Sequence, residues 1–167
     1  MRRAVIDVGS NSVTTTVAER DRDGWRDCHG SAAVTRLGDG TSATGLLAEA
    51  NIQSTLDAIR AAWTDAEAQG AEIVAVGTAA LRMGSNREDF LRRAARQGTR
   101  VSILSGEEEV RLGERAILDD PTFAGRENLT ILDIGGQSTE LNGRSMPIGT
   151  LKIRSLLLDQ DPNGRVP

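Results

Sequence analysis

The chain has 167 residues, enough for one hydrophobic core and a fraction of a second, so we do not expect a large two-domain enzyme. Its net charge of -4 argues against a nucleic-acid binder, because such binding draws on many Lys and Arg contacts. The single cysteine, Cys28, excludes an intrachain disulfide, and no apolar run reaches membrane-spanning length. We therefore expect a cytoplasmic protein that binds neither nucleic acid nor membrane.

The first part of the chain predicts an antiparallel sheet followed by a helix. Three strands are predicted, at residues 5–8, 13–17 and 25–28. Asp23 and Gly24 predict the turn before the third strand, and the glycine-rich stretch 35–47 predicts a loop. Apolar residues at helical spacing over 52–66 predict a packed helix that ends near Gly70.

The middle of the chain predicts alternating strands and helices. The continuous apolar run at 73–76 is typical of a buried parallel strand, and residues 101–104 repeat the strand signal. A Ser followed three residues later by Glu predicts a capping box at the start of a helix. Two such pairs occur, Ser85 with Glu88 before residues 90–95, and Ser105 with Glu108 before residues 110–118.

The last part of the chain predicts a boundary and a new sheet. Residues 119–128 contain Pro121 and Gly125 and mark the boundary, so we expect an N-terminal lobe over 1–124 and the beginning of a second lobe over 125–167. Three elements are predicted in the second lobe: a strand over 129–134, a hairpin turn at Asn142-Gly143 and a helix over 150–160.

A sequence repeat points to phosphate chemistry. Residues 6–12 and 132–138 both read as an apolar residue, Asp, a β-branched residue, Gly, two small or polar residues and Ser. Glycine lets the backbone come close to an anion, while amide and Ser hydroxyl groups donate to phosphate oxygens. Asp7 and Asp133 at the strand ends can hold a metal ion or its water. Two such turns facing each other would form a phosphate clamp.

The chain resembles the exopolyphosphatase and guanosine pentaphosphate phosphohydrolase family, within the actin-like ATPase superfamily. Four motifs carry the resemblance in chain order, at residues 6–12, 78–82, 103–111 and 133–141. The resemblance implies an α/β, ribonuclease H-like lobe with a mixed sheet flanked by helices, and the start of a second similar lobe. It also implies magnesium-dependent hydrolysis of terminal phosphoanhydride bonds in polyphosphate or guanosine pentaphosphate, releasing orthophosphate.

The resemblance also implies roles for individual residues. Glu109 matches the carboxylate that orients or deprotonates the attacking water, whereas Glu107 and Glu108 are expected to cap the helix on which all three lie. Asp133 and Glu140 match carboxylates that hold magnesium or its waters, and Asp7 is the symmetric candidate. The residues expected to bind phosphate are Gly9, Ser10, Asn11, Ser12, Arg82, Gly135, Gly136, Ser138 and Thr139. We expect Arg82 in a short loop, where its guanidinium could span two phosphate oxygens.

The chain departs from the family pattern in two places. Family members commonly have a third glycine where this chain has Gln137, and a requirement for positive φ or close phosphate approach there would impair the second turn. Members also continue with most of a second lobe, so we expect a truncated lobe with an exposed apolar face that associates as a homodimer.

Other functions fit parts of the sequence. A non-catalytic module that binds polyphosphate or an alarmone would keep the phosphate turns without turnover. A lobe of an actin-like ATPase or kinase would share the paired turns, although the helix start at residues 105–111 argues against it. The single histidine, His29, lies in a polar segment and makes a Ser-His-Asp triad an unfavourable interpretation.

Overall fold

The computed structural model describes residues 1–22 and 24–157. The chain forms two compact units, Met1–Ile103 and Leu104–Pro167. The described strands of the first unit are β1 (Arg2–Val8), β2 (Ser12–Arg20), β3 (Trp25–Val34), β4 (Glu72–Gly77) and β5 (Val101–Ile103). Its described helices are α1 (Thr41–Thr44), α2 (Glu49–Ala68), α3 (Ala79–Met83) and α4 (Arg87–Arg96). The second unit contains α5 (Gly106–Leu118), a 3-10 turn (Pro121–Phe123), β6 (Leu132–Ile134), β7 (Thr139–Leu141), β8 (Arg144–Met146) and α6 (Thr150–Leu157).

The first unit contains a mixed sheet in the order β3-β2-β1-β4-β5. The β1–β2 and β2–β3 pairs are antiparallel, whereas β4 and β5 run parallel to β1, as the sequence predicts. Val8 lies opposite Gly77, which in turn lies opposite Ile103. The carboxyl ends of the three parallel strands therefore meet at one edge of the sheet.

Helix α2 covers one face of this sheet. Its apolar residues Ile52, Leu56 and Ile59 are each 1% exposed and belong to one buried cluster with Ile6 and Val8 of β1. Full burial of each such side chain contributes about 1.5–3 kcal/mol. The predicted helix and its end near Gly70, where φ is 66°, are confirmed.

The second unit has a three-stranded antiparallel sheet in the order β6-β7-β8. Asn142 and Gly143 connect β7 to β8 with φ values of 49° and 76°, so the predicted hairpin turn is confirmed. The predicted last helix is observed as α6, and residues 158–160 of that prediction lie outside the described residues. Asp23, part of the turn predicted before β3, also lies outside the described residues.

Three local predictions in the first unit are wrong. Arg82 lies in the last turn of α3 and not in a loop. Asn86, not Ser85, precedes α4, and no side chain caps that helix, because the Asn86 side chain exchanges hydrogen bonds of 2.9 and 3.0 Å with the backbone of Leu47. The Ser85 hydroxyl donates to the carbonyl of Gly45 instead. Helix α1 also forms within the stretch predicted as a loop.

Helix α5 begins with the capping box predicted from the sequence. Oγ of Ser105 accepts from the amide of Glu108 at 3.1 Å, and the amide of Ser105 donates to Oε2 of Glu108 at 2.8 Å. This helix packs with β8 in the second compact unit, so the units divide after Ile103, earlier than the domain boundary expected after residue 124. The domain division itself stays a prediction.

Candidate functional site

The first glycine turn, residues 9–12, closes on itself after β1. The amide of Gly9 donates to the carbonyl of Ser12 at 3.0 Å. The carbonyl of Ser10 accepts from the amide of Gly38, and that of Asn11 accepts from the amide of Arg36, at 2.8 and 2.9 Å. Among the described residues, the amides of Ser10 and Asn11 donate to no backbone carbonyl. The carbonyls of the turn therefore already accept hydrogen bonds, whereas two of its amides are available to an anion.

Arg82 and Asp7 belong to the same edge of the first sheet. The amide of Thr78 donates to the carbonyl of Val8 at 3.3 Å, which places the start of α3 beside the end of β1. Arg82 is half-buried on this helix, and its carbonyl accepts from Arg87. Asp7, also half-buried, lies opposite Val76 in the register of β1 with β4. The structure thus brings Arg82 and Asp7 to the edge that carries the first glycine turn.

The second glycine turn, residues 135–138, repeats the first in its hydrogen bonding. The amide of Gly135 donates to the carbonyl of Ser138 at 2.9 Å, as Gly9 does to Ser12. The amides of Thr150 and Leu151 at the start of α6 donate to the carbonyls of Gly135 and Gly136 at 3.0 and 2.8 Å. Thr139 Oγ1 donates to the carbonyl of Ile148 at 2.6 Å, so this hydroxyl supports the turn from outside.

Gln137 fits this turn without backbone strain. The non-glycine residues with positive φ in the described chain are Arg36, Asn128 and Asn142, so Gln137 adopts an ordinary conformation. Its side chain is 2% exposed. Backbone strain at Gln137 therefore does not impair the turn, and its effect on close phosphate approach stays a prediction.

Three carboxylates predicted from the sequence line one small cleft in the second unit. Glu109 approaches it from α5, Asp133 from β6 and Glu140 from β7. Glu114 lines the same cleft from the next turn of α5. Sequence reasoning missed it, because helical residues five apart are not neighbours on one helix face. The cleft has a volume of about 10 Å³, room for roughly one water molecule. Its remaining lining residues are Val110, Gly113, Ile131, Leu141, Asn142 and Gly143.

A row of polar residues crosses the second sheet. Asp133 is the cross-strand partner of Glu140, which is the partner of Ser145. Directly opposed side chains lie on one face of a sheet, and two carboxylates in that relation repel each other. Glu140 is 6% exposed and accepts a 2.8 Å hydrogen bond from the Ser145 hydroxyl, whereas Asp133 is exposed. Sequence reasoning missed Ser145, because only the strand register places it beside Glu140.

The three consecutive glutamates of α5 lie in different environments. Glu108 is used by the capping box, and the hydrogen bonds from the Ser105 backbone and hydroxyl hold the pKa of Glu108 below its usual value of 4.5. Glu107 is exposed, and Glu109 is half-buried beside the cleft. The structure thus confirms the capping role of Glu108. Glu109 takes no part in this capping box and lines the cleft instead.

The donor set of the cleft suits magnesium. Among the described residues, no three or more His, Cys, Asp and Glu side chains cluster closely enough to form a metal cage by themselves. Mg²⁺ prefers oxygen ligands and is commonly held by one or two carboxylates together with waters and substrate phosphates. The adjacent carboxylates of Asp133 and Glu140 match that arrangement.

Across the part of the chain that the structure describes, no helix is long and apolar enough to cross a membrane.

The mixed sheet with its flanking helices defines an α/β fold of the ribonuclease H-like class. An ethanolamine utilization protein EutJ from Carboxydothermus hydrogenoformans shares this fold with a TM-score of 0.50 and 15% identity. The family model of the Ppx/GppA phosphatase family matches residues 16–165. The chain belongs to that family, and the predicted resemblance and fold class are confirmed.

Individual relatives agree with this assignment. Exopolyphosphatase 1 of Mycobacterium tuberculosis is 32% identical over 177 residues, covering 99% of this chain and 51% of that protein. A guanosine-5'-triphosphate,3'-diphosphate pyrophosphatase of Aeromonas hydrophila is 34% identical over 140 residues, covering 83% of this chain and 28% of that protein. The chain spans about half the length of the curated exopolyphosphatases that it matches.

Solved structures show the same fold. The Ppx/GppA family member of Aquifex aeolicus superposes with a TM-score of 0.78 and 29% identity, covering 97% of this chain and 56% of that one. An exopolyphosphatase of Cytophaga hutchinsonii superposes with a TM-score of 0.86 at 23% identity, covering 94% of this chain and 54% of that one.

Proposed function

We propose that this chain carries the catalytic carboxylates of a magnesium-dependent phosphoanhydride hydrolase that releases orthophosphate from polyphosphate or guanosine pentaphosphate. The observation that carries the proposal is the convergence of Glu109, Asp133 and Glu140 on one cleft, within a unit that also contains the second glycine turn. Family membership supports the reaction class, since relatives are named exopolyphosphatase or pentaphosphate pyrophosphatase.

Glu109 is the residue that acts on the attacking water. It is half-buried on α5, and its neighbour Glu108 already satisfies the helix cap. Because carboxylates are weak bases at neutral pH, Glu109 contributes mainly by orienting water toward the phosphorus atom, with partial removal of its proton. Positioning of this kind dominates phosphoryl transfer, which needs little covalent chemistry from the protein.

Asp133 and Glu140 are the residues that would hold magnesium or its waters. When bound, the ion neutralises charge on the phosphate oxygens and orients the transferred group. Asp7 is the corresponding candidate in the first unit, where it shares a sheet edge with the first glycine turn. Any role of Asp7 as a ligand is part of the proposal.

The two glycine turns and Arg82 supply the phosphate-binding groups. In each turn, two backbone carbonyls accept hydrogen bonds from amides elsewhere in the same unit. The amides and Ser hydroxyls of the turn remain as the donors that an oxyanion requires. An Arg guanidinium can donate to two phosphate oxygens at once, so Arg82 is suited to bind a phosphate group of the substrate. The Thr139 hydroxyl donates to the Ile148 carbonyl and so supports the second turn, and its direct contact with phosphate is part of the proposal.

The substrate is tested by incubating the chain with magnesium and either long-chain polyphosphate or guanosine pentaphosphate, and measuring orthophosphate release. Release from one of them identifies the substrate. Calorimetric binding of polyphosphate without release would assign the chain to a binding module instead. Preference for ATP over both compounds would assign it to the actin-like ATPases or kinases.

The cytoplasmic location and the homodimer stay predictions. The single Cys28 supports the first, since its thiol lies in no disulfide and donates to the Val17 carbonyl at 3.3 Å. Exposed apolar residues on β6 support the second, with Leu132 and Ile134 at 55% and 56% exposure.

A further inference from the structure

Ser145 lies where the cleft carboxylates meet helix α5. Its hydroxyl donates to Oε1 of Glu140 at 2.8 Å across the β7–β8 pair. Glu140 is buried and stands directly opposite Asp133 on the other side. The hydrogen bond therefore fixes one oxygen of Glu140 and the rotation of its carboxyl group, at a position where repulsion from Asp133 would otherwise turn it away.

Ser145 also contacts the start of α5. A Cβ added to Gly106, the first residue of that helix, would lie 3.0 Å from Cβ and 3.1 Å from Oγ of Ser145. The absence of a side chain at Gly106 lets the helix approach β8 this closely. Since Glu109 lies one turn further along α5, the same serine contacts both the carboxylate of Glu140 and the helix that carries Glu109.

We propose that Ser145 is a positioning residue that orients the Glu140 carboxylate and sets its distance from the helix bearing Glu109. This role rests on the proposed hydrolase function, in which Glu140 holds magnesium or its waters. In this role Ser145 acts through its contacts with Glu140 and α5. Residues that orient metal-binding carboxylates typically change metal affinity or activity by about 10- to 100-fold when they are lost.

The test compares Ser145→Ala with Ser145→Thr, which keeps a hydroxyl, and with Ser155→Ala on α6 as a matched control. Orthophosphate release from polyphosphate is measured against substrate and magnesium concentration. We expect Ser145→Ala to lower kcat and to raise the half-saturating magnesium concentration, together by about 10- to 100-fold, with little change in KM. Ser145→Thr is expected to restore most of this loss, and Ser155→Ala to change nothing.

A double-mutant cycle with Glu140→Gln separates positioning from a general structural role. If Ser145 acts through Glu140, then adding Ser145→Ala to Glu140→Gln costs little further activity. An equal loss in both backgrounds would overturn the proposal. If Ser145→Ala fails to fold, Ser145→Cys carries the test, because it is similar in size and its thiol is a weak donor.

The outcomes distinguish this inference from the function on which it rests. An active wild type with an equally active Ser145→Ala variant and unchanged magnesium dependence would overturn the positioning role alone. A wild type that releases no orthophosphate from either substrate would overturn the proposed function, and the role of Ser145 with it.

Discussion

The carbonyl of Ser138 accepts a 2.9 Å hydrogen bond from the amide of Gly135, and this bond closes the second glycine turn. The first turn is closed by the 3.0 Å bond from Gly9 to Ser12. A Cβ on Gly9 or Gly135 would lie only 3.0 or 3.2 Å from the accepting carbonyl oxygen. The repeated glycine is therefore required by close backbone approach, and the sequence repeat corresponds to a repeated structure.

Gly149 is expected to be essential for the second turn. A Cβ at this position would lie 2.5 Å from the backbone nitrogen of Gln137 and 2.5 Å from the carbonyl carbon of Gly136. Gly149→Ala should therefore lower the free energy of unfolding by about 1–3 kcal/mol, as overpacking does, and weaken phosphate release. Chemical denaturation measures the first effect.

Gly113→Ala is the control for Gly149→Ala. It makes the same change inside α5, where a Cβ would meet nothing within 4 Å. We expect it to be neutral or to stabilise the chain by up to about 1 kcal/mol, because Ala is the better helix former. Equal destabilisation by both variants would contradict the account of Gly149.

Glu108 should make stability depend on pH. Its hydrogen bonds from Ser105 lower its pKa in the folded state, so its contribution is present above its unfolded pKa and is lost as pH falls through the folded value. Glu108→Gln should therefore destabilise the chain at neutral pH, with the difference from wild type shrinking below about pH 4. Denaturation at a series of pH values measures this, and a constant difference would contradict it.

Arg82 should matter for its shape as well as its charge. Arg82→Lys keeps the charge but loses bidentate contact with phosphate oxygens, so we expect KM for polyphosphate to rise by about tenfold. Arg92 on α4 pairs with Asp89, and Arg92→Lys should leave KM unchanged. Steady-state kinetics measure both, and equal KM values for the two variants would remove Arg82 from the binding site.

The exposed residues of β6 should govern association. Leu132 lies on an edge strand of the second sheet, and a charge on an edge strand opposes pairing with another chain. We expect light scattering to show a dimer for the wild type and a monomer for Leu132→Lys. Leu118→Lys, at a similarly exposed position on α5, should stay dimeric. A monomeric wild type would refute the homodimer.

Local sequence patterns predicted those parts of the molecule that depend on neighbouring residues. The capping box at Ser105 and the hairpin at Asn142 form as expected, because each is built within a few residues. The corresponding prediction from Ser85 at α4 is wrong, because the Ser85 hydroxyl donates to Gly45 and the Asn86 side chain bonds to the backbone of Leu47, both distant in sequence. Tertiary contact overrides the local cap there.

The candidate site shows the same division. Family motifs identified Glu109, Asp133 and Glu140, and the structure brings them to one cleft. Ser145 belongs to no repeat or motif, and its relation to Glu140 follows from strand register alone. Glu114 likewise lines the cleft through the packing of α5, which its spacing from Glu109 does not predict.

The most direct test of the hydrolase function compares Glu109→Gln with Glu107→Gln. Both variants make the same change in the first turn of α5, but only Glu109 lines the cleft. Magnesium-dependent orthophosphate release from polyphosphate should be abolished in Glu109→Gln and retained in Glu107→Gln, with both variants folded. Release that survives in Glu109→Gln would contradict the assignment of this carboxylate to the attacking water.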